Sequence, residues 1–132
     1  MPLTYFCQKC WREVPAGARG PCPHCGAPLD DGASYAEKLI RALDAPEAAT
    51  ALRAAYLLGK LRAAAAVPAL AAKLKESPDP YLAAAACEAL GQIGTPEAEA
   101  AVCAARKHRF ATVRRVAVKY CHKPSSGEKS DG

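Results

Sequence analysis

With 132 residues, 51% hydrophobic side chains, only 6% aromatics and a net charge of +5, the chain has room for one ordinary domain or two small ones. So few large rings at this apolar content argue against a sandwich or barrel and for an alanine-rich helical assembly. The start, Met1 to Cys7, lacks the basic stretch and apolar core of a secretory signal. The longest apolar run, 63–72, is broken by Pro68 and far too short to span a bilayer, so a cytoplasmic protein without membrane contact is expected.

The first segment, Thr4 to Leu29, carries Cys7 and Cys10 as one C-x2-C pair and Cys22 and Cys25 as another, with eleven residues between the pairs. Two residues between thiolates let a turn aim both sulfurs at one ion, and two such turns complete a tetrahedron. The segment resembles the small zinc ribbons of bacterial proteins through Val14-Pro15-Ala16-Gly17-Ala18 and Cys22-Pro23-His24-Cys25-Gly26-Ala27-Pro28-Leu29. Trp11 stands where that family has glycine after the first knuckle. The resemblance implies a structural Zn2+ on the four cysteines, since four thiolates leave no open position for water or substrate. Tyr5, Phe6, Trp11 and Val14 can only cover the knuckles, so the folding energy is expected from the ion, about 10–16 kcal/mol in comparable peptides.

Asp30 to Ala33 is a short polar boundary. Three regions are expected: ribbon and linker over 1–33, a helical array over 34–123 and a disordered tail over 124–132. Ser34-Tyr35-Ala36-Glu37 fits a capping box that starts the first helix, and so short a linker suggests that the ribbon packs on that helix and covers the open end of the array. Helices are expected at about 35–43, 47–60, 64–76, 80–93, 96–108 and 111–122.

An internal repeat organises them. Gly91 falls 32 positions after Gly59, Leu57-Leu58-Gly59 lies over Ala89-Leu90-Gly91, and Val113-Arg114-Arg115 lies over Leu82-Ala83-Ala84. Leu82, Ala85, Ala86, Ala89, Leu90 and Ile93 make one apolar stripe at helical spacing. Asp79-Pro80 and Thr95-Pro96-Glu97 open helices, and Gly94 closes one. These residues resemble the short alanine-rich HEAT-like repeats of phycobilisome lyases, with one departure: the family's arginine column is broken by Ala83. The fold expected is mostly α, a short α-solenoid of about three hairpins. Its core comprises Leu39, Leu43, Leu57, Leu58, Leu61, Leu70, Leu74, Leu82, Leu90, Ile93, Val102, Val113 and Val116.

The remaining cysteines, Cys87, Cys103 and Cys121, align with mostly apolar positions and read as packing residues, in keeping with a reducing compartment. Charge is uneven: residues 100–123 hold seven cations and no acid. Arg106, Lys107, Arg109, Arg114, Arg115, Lys119 and Lys123 therefore form a candidate surface for an acidic partner. A helix C-terminus favours cations and a terminal helix needs a polar face, which accounts for part of this charge but not for the absence of acids.

An interaction or scaffold module that binds protein is the expected function, because helical-hairpin arrays present extended surfaces. Nucleic acid bound by the ribbon and the basic end is the alternative. The HEAT-like family includes bilin lyases, a di-iron hydroxylase with His-Glu pairs and DNA glycosylases. This sequence has no His-Glu dipeptide, only His24, His108 and His122, so no catalysis is expected.

Overall fold

The computed structural model describes residues 4–15, 17–29 and 32–121. Two short strands, β1 (Thr4–Phe6) and β2 (Glu13–Pro15), pair antiparallel with Tyr5 opposite Val14. Six helices follow: α1 (Tyr35–Ala42), α2 (Ala48–Leu61), α3 (Val67–Glu76), α4 (Pro80–Ile93), α5 (Pro96–Ala104) and α6 (Ala111–Tyr120). They form two layers. Helices α2, α4 and α6 stack on one another, while α1, α3 and α5 pack beside them.

Each boundary has a chemical cause. Ser34 Oγ accepts the Glu37 N–H at 3.1 Å while Glu37 accepts the Ser34 N–H at 2.7 Å, which completes the capping box of α1. Asp79 accepts the Tyr81 N–H and Thr95 accepts the Ala98 N–H, so α4 and α5 begin with satisfied donors and a proline in the first turn. Helices α2 and α4 both end on a left-handed residue, Arg62 at φ 52° and Gly94 at φ 72°. Glycine adopts that conformation freely, whereas for arginine it costs about 1–2 kcal/mol.

The expected helices differ at two ends. A 3₁₀ turn, Ala64–Ala66, leads into α3, and another, Ala105–Lys107, follows α5, so neither helix runs as far as periodicity suggested. Most of the expected core is fully buried, including Leu39, Leu57, Leu58, Leu70, Leu90, Val102 and Val113. Leu61, Ile93 and Val116 are corrected to partly buried, because they lie at the rim of the stack.

Glycine sets the approach of the stacked helices. A Cβ on Gly59 would lie 2.9 Å from Ala89 Cα, and one on Gly91 would lie 2.4 Å from the Tyr120 ring. The residues four and eight positions earlier share those faces, giving an Ala51-Ala55-Gly59 stripe on α2 and an Ala83-Cys87-Gly91 stripe on α4. Ala55 and Cys87 are completely buried by the next helix. On α6 the same stripe reads Arg114-Val118, and Val118 is 66% exposed. On α6, the last helix among the described residues, the small residues give way to long and branched ones, the kind of outer face a capping unit carries.

At the other end the ribbon covers α1 and α2. The Tyr35 hydroxyl donates to Thr4 O, Lys38 Nζ donates to Leu29 O at 3.1 Å, and Arg53 pairs with Glu13 at 3.5 Å. The Tyr5 ring meets Tyr35 edge-on at 6.3 Å and carries the Lys38 ammonium 4.4 Å above its centre. Cys103 and Cys121, expected as packing residues, are corrected to a disulfide that ties the end of α5 to the end of α6. That bond also withdraws the cysteine count as an argument for a reducing compartment. The expected disordered tail, 124–132, lies outside the described residues. No helix among those residues is long and apolar enough to cross a membrane.

Candidate metal centre and partner surface

The two cysteine knuckles are built alike. In the first, Trp11 N–H donates to Cys7 O at 2.9 Å and Lys9 N–H points at Cys7 Sγ at 3.4 Å. In the second, Gly26 N–H donates to Cys22 O at 2.9 Å and His24 N–H points at Cys22 Sγ at 3.4 Å. Each turn thus directs amide donors to its first sulfur. The residue closing each turn is left-handed, Trp11 at φ 61° and Gly26 at φ 82°, so the unusual tryptophan preserves the turn under local backbone strain. Trp11 is held in place by packing on the core.

The four sulfurs lie within 4.8 Å of one another, with Cys7 and Cys25 3.6 Å apart and Cys10 and Cys22 3.8 Å apart. A tetrahedral ion with metal–sulfur bonds of about 2.3 Å needs sulfurs about 3.8 Å apart, so the set fits one. Among the described residues no other group of three or more His, Cys, Asp or Glu ligands comes together in this way.

Electrostatics favours the same conclusion. Burial opposes ionisation of Cys22, yet the amides of His24 and Cys25 and the sulfurs of Cys10 and Cys7 outweigh it and bring the thiol down to about 6. Cys7 is lowered through the same opposition of burial to amide and thiol donors. At Cys10 the Arg12 amide favours the thiolate, but burial and the three neighbouring sulfurs push it up to about 11. Without a cation the four thiols cannot all ionise at this spacing, and an ion at their centre removes the conflict. His24 is exposed between two of these cysteines.

The basic residues do not form one free surface. Arg106 donates to Cys103 O at the end of α5, and Arg109 donates to Ser77 O beyond the end of α3 while its guanidinium lies 4.7 Å from the Phe110 ring centre. Arg114 folds back onto His108 O and Arg109 O. Three arginines thus serve carbonyls at helix ends and turns, which gives part of the acid-free run a local purpose. Lys107, Arg115 and Lys119 are exposed, and Lys123 lies outside the described residues. Cys87 is buried, and burial first, with Glu88 adding to it, pushes its thiol up to about 12, so no reactive centre arises there.

The disulfide is the feature that sequence reasoning missed. Its cysteines are 18 positions apart on different helices, and only the return of α6 alongside α5 brings their Cα atoms within 5.0 Å.

A family profile described as HEAT repeats matches residues 36–121. Among solved structures, human deoxyhypusine hydroxylase in complex with glycerol is similar with a TM-score of 0.63 and 32% identity, over 68% of this chain and 33% of that one. The complex of CpcE and CpcF of phycocyanin lyase from Nostoc sp. PCC7120 is similar with a TM-score of 0.59 and 28% identity, over 71% of this chain and 39% of that one. A search of curated proteins finds no match. This chain thus spans little more than a third of the solved chains it resembles. The expectation of no catalysis is corrected by these matches, because stacked hairpins of this kind occur in a hydroxylase and in a lyase complex.

Proposed function

The chain belongs to the HEAT-repeat family, and from that premise we propose that it is a protein-binding module serving a catalytic assembly of the hydroxylase or lyase type. The observation that carries the reading is the array itself, two layers of stacked helices closed by a ribbon at one end and by α6 at the other. Such a body buries its core between neighbours and leaves long side faces open to a partner. The similar phycocyanin lyase structure is a complex of two different chains, which supports a partner of protein rather than of nucleic acid.

In this reading Cys7, Cys10, Cys22 and Cys25 hold one Zn2+ as a structural element of the cap. Arg115, Lys119 and Lys107 supply the exposed charge that meets an acidic partner. Nucleic acid is disfavoured by the three arginines already committed to backbone carbonyls.

Two experiments test these parts separately. Metal analysis should return about one zinc per chain, and Cys22→Ser should abolish binding and unfold the ribbon while most helical signal remains; substoichiometric metal in protein prepared without chelator would overturn the zinc assignment. Arg115→Glu with Lys119→Glu, both exposed, should leave melting nearly unchanged and reduce recovery of protein partners from the source cell, with nuclease making no difference. Unchanged recovery would show that these charges only solvate α6.

A further inference from the structure

The turn edge of the array holds two successive gaps, one between α1 and α3 and one between α3 and α5, and they are closed differently. In the second gap the loop His108-Arg109-Phe110 runs extended across the end of α3. The Phe110 N–H donates to His108 Nδ1, which leaves the proton on Nε2, and Nε2 donates to Leu74 O at 2.7 Å. Arg109 donates to Ser77 O at 3.0 Å and stacks beside the Phe110 ring. At this edge a cleft of about 340 Å³ between α3 and α5 is bounded by His108, and another of about 400 Å³ lies toward the start of both helices.

Thirty-one positions earlier, in the register that lays Val113 over Leu82, the corresponding loop is Ser77-Pro78-Asp79. Ser77 bonds within its own turn and Asp79 caps α4, so among the described residues neither polar side chain of that loop bonds across to α1. The first cleft has about 640 Å³ and is bounded at this edge by Ser77 and Pro78. Its lining is mixed: Ile40, Leu43, Ala69 and Ala72 supply apolar surface beside the polar Lys73 and Ser77. Its rim carries two acids, Asp44, which is paired with Lys73, and Glu76, which has no ion-pair partner among the described residues.

We infer that this first cleft is a docking groove for an extended segment of a partner protein that carries arginine next to an aromatic residue. The chain itself suggests the fit: one repeat later His108 and Arg109 reach across the equivalent edge to Leu74 O and Ser77 O, with the Phe110 ring beside the guanidinium. The charge agrees, since the Glu76 carboxylate offers a guanidinium a partner at the rim and the alanine-lined wall takes a ring. An extended backbone suits a groove that runs along the turn edge, and the aromatic–arginine pair supplies the anchor that dominates such contacts. The inference rests on the reading of the array as a protein-binding module, but the groove is separate from the basic end and can fail alone.

The probe is the peptide acetyl-Gly-His-Arg-Phe-Gly-amide, titrated into the full chain while backbone amide resonances are followed. Saturable shifts at Leu43, Asp44, Ala72 and Ser77 are expected, and the same peptide with glutamate in place of arginine should not saturate. Glu76→Lys should weaken binding by about tenfold or more, and Ala72→Trp, which fills the groove from an exposed position, should remove it. Circular dichroism checks that both variants stay helical. Absence of saturable shifts, shifts centred elsewhere, equal binding of the two peptides, or binding unaffected by either variant would overturn the groove. The reading of the basic end would then still stand or fall on Arg115→Glu with Lys119→Glu.

Discussion

Replacing Gly91 by alanine puts two physical effects in opposition. In a solvent-exposed helix the change stabilises by about 1 kcal/mol, because alanine loses less backbone entropy on folding. Here the new Cβ falls 2.4 Å from Tyr120 Cγ and 2.5 Å from Cδ1, so the ring must move or the α4–α6 contact must open. Overpacking of that kind costs about 1–3 kcal/mol, which leaves Gly91→Ala neutral to about 2 kcal/mol less stable. The obstacle is a side chain and can be removed. In a Tyr120→Gly background, which removes the Cβ at 2.6 Å along with the ring, the same change should recover its full gain of about 1 kcal/mol. The double-mutant cycle should therefore show a coupling of about 1–3 kcal/mol, within the range seen for residues in contact. Four proteins melted under one condition and followed by far-ultraviolet circular dichroism suffice, since about 1 kcal/mol moves Tm by roughly 4–8 °C in a domain of this size. Gly59→Ala is the control, because its Cβ meets the Ala89 backbone at 2.9 Å and no truncation of a side chain relieves that contact. If Gly91→Ala stabilises equally with and without the Tyr120 side chain, α4 and α6 do not approach as described and the glycine register has another cause.

Leu90→Ala should lower the unfolding free energy by about 2–5 kcal/mol in denaturant titration, as for other fully buried leucines. Arg62→Gly should raise it by up to about 1 kcal/mol, because it relieves a left-handed arginine at the end of α2, and an unchanged midpoint would show that the side chain compensates. Replacing Cys103 and Cys121 together by serine should cost about 2–4 kcal/mol, from the entropy returned to the unfolded chain when an 18-residue closure is lost. Thiol titration of the denatured protein checks that the bond was present in the parent.

The repeat was legible because its signals are local. Ser34, Asp79 and Thr95 cap the helices they were expected to cap, and the alanine-leucine stripe of α4 names the face that is buried. The paired knuckles were legible for the same reason, since two-residue spacing fixes a turn without help from the rest of the chain. What escaped depends on where distant segments meet. The glycines marked the repeat in the sequence, but only the positions of Ala89 and Tyr120 explain why those sites lack a side chain. The run of cations read as one charged surface, whereas Arg106, Arg109 and Arg114 turn back onto carbonyls of their own turns and of α3. The disulfide joins two cysteines whose neighbours gave no reason to pair them. The expectation of no catalysis rested on a missing dipeptide and on too few repeats to enclose a substrate, and neither says much about what a short array helps to assemble.

The change of the stacking stripe from Ala51-Ala55-Gly59 and Ala83-Cys87-Gly91 to Arg114-Val118 bears on how such a chain can grow. A unit appended after α6 would have to seat a helix on Arg114, whose guanidinium is already engaged, and on a branched valine where its predecessors meet alanine or cysteine. A copy of 80–110 inserted ahead of α6 would instead present the faces of α4 to α4 itself, with a glycine wherever two backbones draw close. Lengthening the array over 35–120 is thus a matter of duplicating its middle rather than of adding to α6.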